Sequence, residues 1–258
     1  MRLRFLGTGT SFGVPQVGCD CVVCHSTDPR DRRTRSSVLF ELDGATLLVD
    51  TPPELRLQLL AAGVHNVDAV LYTHEHADHI TGIDDLRAFT SRLRRPLPIH
   101  GPAETLDRIR TAFAYIFDDA VQPPEGTSKP LLAPVALEPG VETVVAGVPI
   151  LPLAVDHGDL RVFGYRIGAC AYITDAKLVG PDVRAHLLDL DVLVLNALWW
   201  RPHPRHLSIP EAIAVAQEVG ATRTLLTHLT HETGHAELAA ALPPGIEPAC
   251  DGLVVEVA

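Results

Sequence analysis

No apolar run in this chain approaches the ~18 residues that a membrane-spanning helix needs. The opening Met1-Arg2-Leu3-Arg4-Phe5-Leu6 gives way to Gly7-Thr8-Gly9 before the apolar centre of a secretory signal can form. Neither membrane contact nor export is therefore expected, and the expected compartment is the cytoplasm. Internal repeats and low-complexity tracts are also missing. Basic residues are in deficit: 21 Lys and Arg stand against 32 Asp and Glu, a formal charge of −11, whereas a surface that tracks the phosphates of a long nucleic acid needs the opposite balance. An even cysteine count is lacking as well. The five cysteines stand at 19, 21, 24, 170 and 250, and an odd number with three crowded together does not read as a disulfide framework.

Hydrophobic residues make up 47% of the 258 and charged residues 21%, with no compositional break, so one globular domain over 1–258 is expected. Alternation and turn signals predict a strand over 2–6, a long polar loop over about 7–36, and a hairpin of 37–42 and 45–50 about Asp43-Gly44. Helical spacing follows over 53–62 and 103–117, with a buried strand over 67–72 between them. Periodicity fails over 118–134, which reads as a surface connector or a lid. Strands are predicted over 141–145, 148–155, 162–167, 169–174, 192–196, 222–226 and 253–257, and helices over 181–188 and 209–219. Strands lead and helices follow in each half. That order predicts an α/β fold of two sheets packed face to face with helices on the outer faces.

The densest chemistry is Thr73-His74-Glu75-His76-Ala77-Asp78-His79, directly behind an apolar strand. In an extended chain, residues two apart project to the same side about 6.6 Å apart. His74, His76 and Asp78 are therefore expected to converge beyond the strand end. Imidazole nitrogen and carboxylate oxygen suit zinc, manganese or iron, and three ligands plus water make the open arrangement of a catalytic site. Asp50, ending its own apolar strand, either orients a ligand histidine from behind or caps the helix that follows.

Cys19, Cys21 and Cys24 lie in a polar loop, and thiolates at this spacing favour a closed tetrahedral zinc that lacks one ligand. His25, His231, His235, Cys170 and Cys250 compete for the place. His25 abuts Cys24 awkwardly, while His231 follows His228 by three residues. A structural zinc here would tie the N-terminal loop to the far C-terminal part of the chain.

His74-x-His76-x-Asp78-His79 resembles the signature of the metallo-β-lactamase fold superfamily. The resemblance implies an αβ/βα sandwich with two adjoining metals, His74 and His76 on the first, Asp78 and His79 on the second, and later residues at strand ends completing the set. His157, Asp175 and His228 stand in the expected order, Asp175 as the carboxylate shared by both metals. Gly7-Thr8-Gly9-Thr10-Ser11, the Cys19-x-Cys21-x-x-Cys24 spacing and Gly82-Ile83-Asp84-Asp85-Leu86-Arg87 narrow the likeness to the PhnP-like branch, the phosphoribosyl cyclic phosphate phosphodiesterases. In that branch the His228-x-x-His231 spacing pairs a catalytic ligand with a structural zinc ligand, an arrangement partly shared by PqqB proteins.

The resemblance thus implies a hydrolase carrying two divalent ions, Mn²⁺ or Zn²⁺, plus one structural Zn²⁺, with a small phosphodiester as substrate and a homodimer as the family's suggestion. Two metals about 3.5–4 Å apart can bring a shared water to a pKa near 7 and neutralise phosphate oxygens for in-line attack by the bridging hydroxide. His206 aligns with the family's general acid, and His203 is its rival within Arg201-Pro202-His203-Pro204-Arg205-His206. Asp78 joins His206 as the other candidate catalytic residue. Trp199 and Trp200 either stack on substrate or fill core space. Two other functions compete: RNA processing of the tRNase Z type, disfavoured by the acidic balance, and a non-catalytic PqqB-like carrier, disfavoured by the intact ligand set.

Overall fold

The computed structural model describes all 258 residues. Fourteen strands are β1 Arg2–Gly7, β2 Ser37–Leu42, β3 Ala45–Val49, β4 Ala69–Leu71, β5 Leu97–Gly101, β6 Leu132–Ala136, β7 Thr143–Val145, β8 Val148–His157, β9 Leu160–Ile167, β10 Cys170–Ile173, β11 Val192–Asn196, β12 Arg223–Thr227, β13 Ile246–Pro248 and β14 Val254–Glu256. They form two seven-stranded sheets, ordered β14-β1-β2-β3-β4-β5-β6 and β13-β12-β11-β10-β9-β8-β7. Each sheet is mixed. β3 to β6 run parallel in the first, and β10 to β13 in the second, with antiparallel strands completing both.

Alternation along the strands divides the apolar residues into three layers. Val38, Phe40, Leu47 and Val49 face inward and meet Tyr165, Tyr172, Val194 and Leu225 of the opposite sheet. Their sequence neighbours Leu39 and Leu48 face outward, under Leu55 and Leu59 of α1 (Leu55–Ala61). Short helices α2 (Ala77–Ile80), α3 (Arg87–Leu93), α4 (Ala103–Ala112), α5 (Ala114–Phe117) and α6 (Pro181–Ala185) follow. Two more, α7 (Ile209–Val219) and α8 (His235–Ala241), complete the set. On the second sheet, Ile209, Ala212, Val215 and Ala216 of α7 cover Leu193, Leu195 and Leu226. α7 begins at a capping box, Ser208 with Glu211, and ends at Gly220 in the left-handed region (φ 69°). The expected layering of two sheets with helices outside is therefore the observed one, and no helix is long and apolar enough to cross a membrane.

Local departures have local reasons. The helix expected over 103–117 is interrupted at Phe113, which leaves helical dihedrals (φ −119°, ψ 43°) and separates α4 from α5. β5 carries no strand signal in the sequence, because Pro98 and His100 interrupt its apolar pattern. Its parallel partner β6 begins inside the stretch read as a connector, and only the part before Leu132 is loop. α3, α8 and β13 likewise lack a clear periodic signal in the sequence.

What the fold does for function is bring one set of strand ends together. β3 and β4 are parallel, so Asp50 and His74 leave the first sheet at the same edge. In the second, β10, β11 and β12 are parallel, and β8 reaches β10 through two antiparallel pairings, so β8 points the same way. His157, Asp175, Asn196 and His228 thus emerge at one edge. Opposite the motif, the Tyr165 hydroxyl donates to the carbonyl of Tyr72 at 2.5 Å and the Phe163 N–H to that of Thr73 at 2.9 Å, sewing the two sheets together where β4 ends.

Candidate metal centre

Asp50 accepts three hydrogen bonds at this edge: from the Thr73 N–H (2.8 Å), the Thr73 hydroxyl (2.8 Å) and Nδ1 of His79 (2.7 Å). It orients a histidine and does not cap α1, whose N-cap residue is Glu54. Since the single proton of the Thr73 hydroxyl goes to Asp50, its lone pair accepts from Nδ1 of His74 at 3.0 Å. The carbonyl of Arg205 accepts from Nδ1 of His157 at 2.8 Å. With their Nδ1 atoms committed, His74, His79 and His157 all turn Nε2 toward the cleft, the nitrogen through which each could bind metal.

The lone pairs gather around Asp175. Its Oδ2 lies 3.3 Å from Nε2 of His228 and 3.9 Å from Nε2 of His74, and its Oδ1 lies 3.6 Å from Nε2 of His79. Ligand-capable atoms of His74, His76, His157 and Asp175 form one group within 4.8 Å, and those of Asp78, His79 and His228 a second. The expectation that His74, His76 and Asp78 converge on one point is corrected here. The chain is extended only to His76 (φ −63°, ψ 147°), and α2 starts at Ala77, so the helical turn carries Asp78 and His79 away to the second group. Asp175 lies between the two, as a shared ligand would.

Electrostatics favour a cation in this cleft. Burial pushes the pKa values of His74, His157 and His228 down, so these rings are neutral donors of lone pairs. Burial opposes ionisation of Asp175 and Asp78 too, yet the charged ring of His79 outweighs it for both, leaving both carboxyls well below the usual range. His79 is driven the other way: against burial, Asp175, Asp78 and Asp50 together raise it well above 6.5. Nε2 of His79, both ring nitrogens of His228 and Nδ1 of His206 are buried without a hydrogen-bond partner. Each orphan of this kind costs roughly 1–3 kcal/mol unless something satisfies it. Divalent cations that prefer nitrogen and oxygen would satisfy Nε2 of His79 and one nitrogen of His228, and the donor set fits them.

His206 stands beside these groups, its ring stacked on His228 at 4.8 Å and 4.6 Å from His157, with Nδ1 4.0 Å from Asp175. Burial, then His228, brings its pKa down to about 3. Neither tryptophan fills the core: Trp199 lies under the Arg201 guanidinium at 3.8 Å, and the exposed Trp200 donates from Nε1 to the Thr233 hydroxyl.

The thiolate site assembles separately. Nδ1 of His231 lies 3.3 Å from Sγ of Cys19 and 3.2 Å from Sγ of Cys21, and Cys24 completes a group within 4.8 Å. The competitors are accounted for elsewhere: His25 faces Asp20 in solvent, His235 contacts Arg33, and Cys170 is buried between the sheets. Cys250 lies outside the group. The Cys24 N–H donates to Cys21 Sγ and the Gln16 N–H to Cys24 Sγ. That Cys24 amide, with His231, lowers the Cys21 thiol to about 6, while burial raises Cys24 to about 11. A soft cation that deprotonates thiols fits this set.

Three features had no signal in the sequence. Asp50, Asp175 and His228 all occupy the left-handed region, at φ 62°, 58° and 57°, strained backbone of the kind that collects at functional sites. Thr73 relays between Asp50 and His74, and the Arg205 carbonyl sets the His157 tautomer. Only folding brings these partners together.

Residues 45–229 match the model of the beta-lactamase superfamily domain. An octanoyltransferase of Porphyromonas gingivalis (strain ATCC BAA-308 / W83) is 41% identical over 256 residues, covering 98% of this chain and 51% of that protein. A ribonuclease Z of Bradyrhizobium sp. (strain ORS 278) is 32% identical over 169 residues, 64% of this chain and 48% of that one. The chain thus spans about half the length of each. Among solved structures, a new diphosphatase from the PhnP family superimposes with a TM-score of 0.91 at 37% identity, covering 99% of this chain and 97% of its own.

Proposed function

The chain belongs to the beta-lactamase superfamily, in its PhnP-like branch, and from that premise we propose that it is a phosphodiesterase hydrolysing small, chiefly cyclic, phosphodiesters in the cleft around Asp175. The observation that carries this reading is the position of the Asp175 carboxylate between two histidine groups, each with buried lone pairs turned toward it. His74, His76, His157 and Asp175 would hold one divalent ion, and Asp78, His79, His228 and the shared Asp175 the other. Cys19, Cys21, Cys24 and His231 would hold a structural zinc. When bound, the pair in the cleft supplies Lewis acidity that neutralises the phosphate oxygens and makes water nucleophilic at neutral pH.

The remaining work falls to the chain. Asp50, Thr73 and the Arg205 carbonyl each hold the Nδ1 side of one imidazole and so aim its Nε2 into the cleft. His206 turns an unpartnered, buried Nδ1 toward Asp175. Burial holds its pKa down, and the negative charge of an entering phosphate works against burial and favours the protonated ring. From Nδ1 it hands a proton to the departing alkoxide.

The test is hydrolysis by Mn²⁺- or Zn²⁺-loaded protein of a 2′,3′-cyclic nucleotide, bis(p-nitrophenyl) phosphate, a diphosphate and a precursor tRNA. Cleavage of the first two, abolished in Asp78→Ala with the fold retained, supports the proposal. A loaded protein that cleaves neither refutes it, and a preference for the diphosphate or the RNA redirects the substrate class. The charge of −11 disfavours the RNA. The octanoyltransferase is about twice as long as the part aligned here.

A further inference from the structure

His203 lies in a segment with unusual backbone chemistry. Pro202 and Pro204 flank it, and neither has an N–H to give. The next free amides are those of Arg205 and His206, and both donate to Nδ1 of His203, each at 3.2 Å. The imidazole thus plays the part that an Asp or Asn side chain plays in an Asx turn, accepting from the amides two and three residues ahead. That turn sets two site residues at once: its Arg205 carbonyl receives the Nδ1 proton of His157, and its last residue is His206.

The His203 ring is itself held from outside the cleft. The Trp199 ring meets it edge-on at 5.2 Å, Arg201 covers Trp199 at 3.8 Å, and Glu232 fixes Arg201 through two bonds of 2.6 and 2.7 Å. Trp200 adds its bond to Thr233 at 3.1 Å. Glu232 and Thr233 directly follow His231 of the thiolate cluster, so the loop carrying His206 is strapped to the segment that cluster anchors.

We propose that His203 is a positioning residue for His206, its Nδ1 holding the turn that aims the general acid and the Glu232–Arg201–Trp199 chain holding its ring; this rests on the phosphodiesterase reading above. His203 is no second acid in this arrangement, because its Nδ1 is committed as an acceptor to two amides.

Two variants and two substrates test it. Asn at this position can accept the same two bonds through its side-chain oxygen, and Ala cannot. A 2′,3′-cyclic nucleotide leaves as an alkoxide and needs the acid, whereas bis(p-nitrophenyl) phosphate leaves as a stabilised phenolate and does not. His203→Ala is expected to lose roughly 10–100-fold in kcat on the cyclic nucleotide, with KM nearly unchanged and far less loss on the nitrophenyl ester. His203→Asn should restore most of the loss. In the ion-free protein, amide hydrogen exchange at Arg205 and His206 should quicken in His203→Ala and stay slow in His203→Asn. Equal loss of kcat in both variants overturns the proposal, since the ring itself would then be transferring the proton. Unchanged exchange in His203→Ala overturns it as well. If the wild type hydrolyses neither substrate, the functional reading fails alone, and the exchange measurement still decides whether His203 holds the turn.

Discussion

The carboxylate of Asp50 lies 2.7 Å from Nδ1 of His79, and neither side chain touches solvent. One sits at the end of β3 and the other on the turn of α2, and their contact fixes which nitrogen His79 offers to the cleft. Asp50→Ala strips the acceptor from His79 and from both donors of Thr73. Loss of such an orienting partner typically weakens metal binding about 10–100-fold, and unpaired buried donors cost roughly 1–3 kcal/mol each. Titration of the ion-free variant with Mn²⁺ or Zn²⁺, alongside chemical denaturation, should show both effects; wild-type affinity would remove Asp50 from the site.

Cys21 and His231 meet at 3.2 Å across 210 positions of sequence. Elemental analysis after dialysis against a chelator should find about one zinc retained per wild-type chain and none in Cys21→Ser, with a lower Tm in the variant. Retention of zinc by Cys21→Ser would contradict the four-ligand assignment.

Nδ1 of His235 accepts from the guanidinium of Arg33 at 3.3 Å, and the His235 N–H donates to Asp31 at 2.6 Å. Burial, then Arg33 and Arg30, hold this histidine below its ordinary 6.5, against a weaker pull from Asp28 and Asp31. The folded state therefore binds fewer protons here than the unfolded one. The resulting stability is fully present above the unfolded value and is lost as pH falls below it, toward the depressed folded value. His235→Gln keeps an acceptor for Arg33 and does not titrate. The Tm difference, wild type minus variant, should be constant from pH 8 to 7 and decline as pH drops from 6.5 to 5; a flat difference over the whole range would rule out the linkage.

Much of this was legible in the chain itself. Val38 and Phe40 alternate with Leu39, and Leu47 and Val49 with Leu48, so the strands and their two buried faces follow from a period of two. His74, His76, Asp78 and His79 are crowded too closely for a structural role, and Cys19, Cys21 and Cys24 carry a recognisable ligand spacing. Where the sequence misled, two local competitions go the other way: β5 forms across Pro98 because parallel neighbours on both sides supply its pairing, and α2 begins one residue after His76, splitting a ligand set that an extended chain would have kept together.

Residue spacing alone thus determined the layered α/β class, the histidine motif and the three-thiolate loop, because each depends on neighbours a few positions apart, where bond lengths and backbone period dictate what can meet. Only the tertiary structure decided that Asp175 stands between two histidine groups, and that His231 and not His25, His235, Cys170 or Cys250 faces the thiolates. Both join strands and loops far apart in sequence. Spacing carries no information about either until the two sheets have packed.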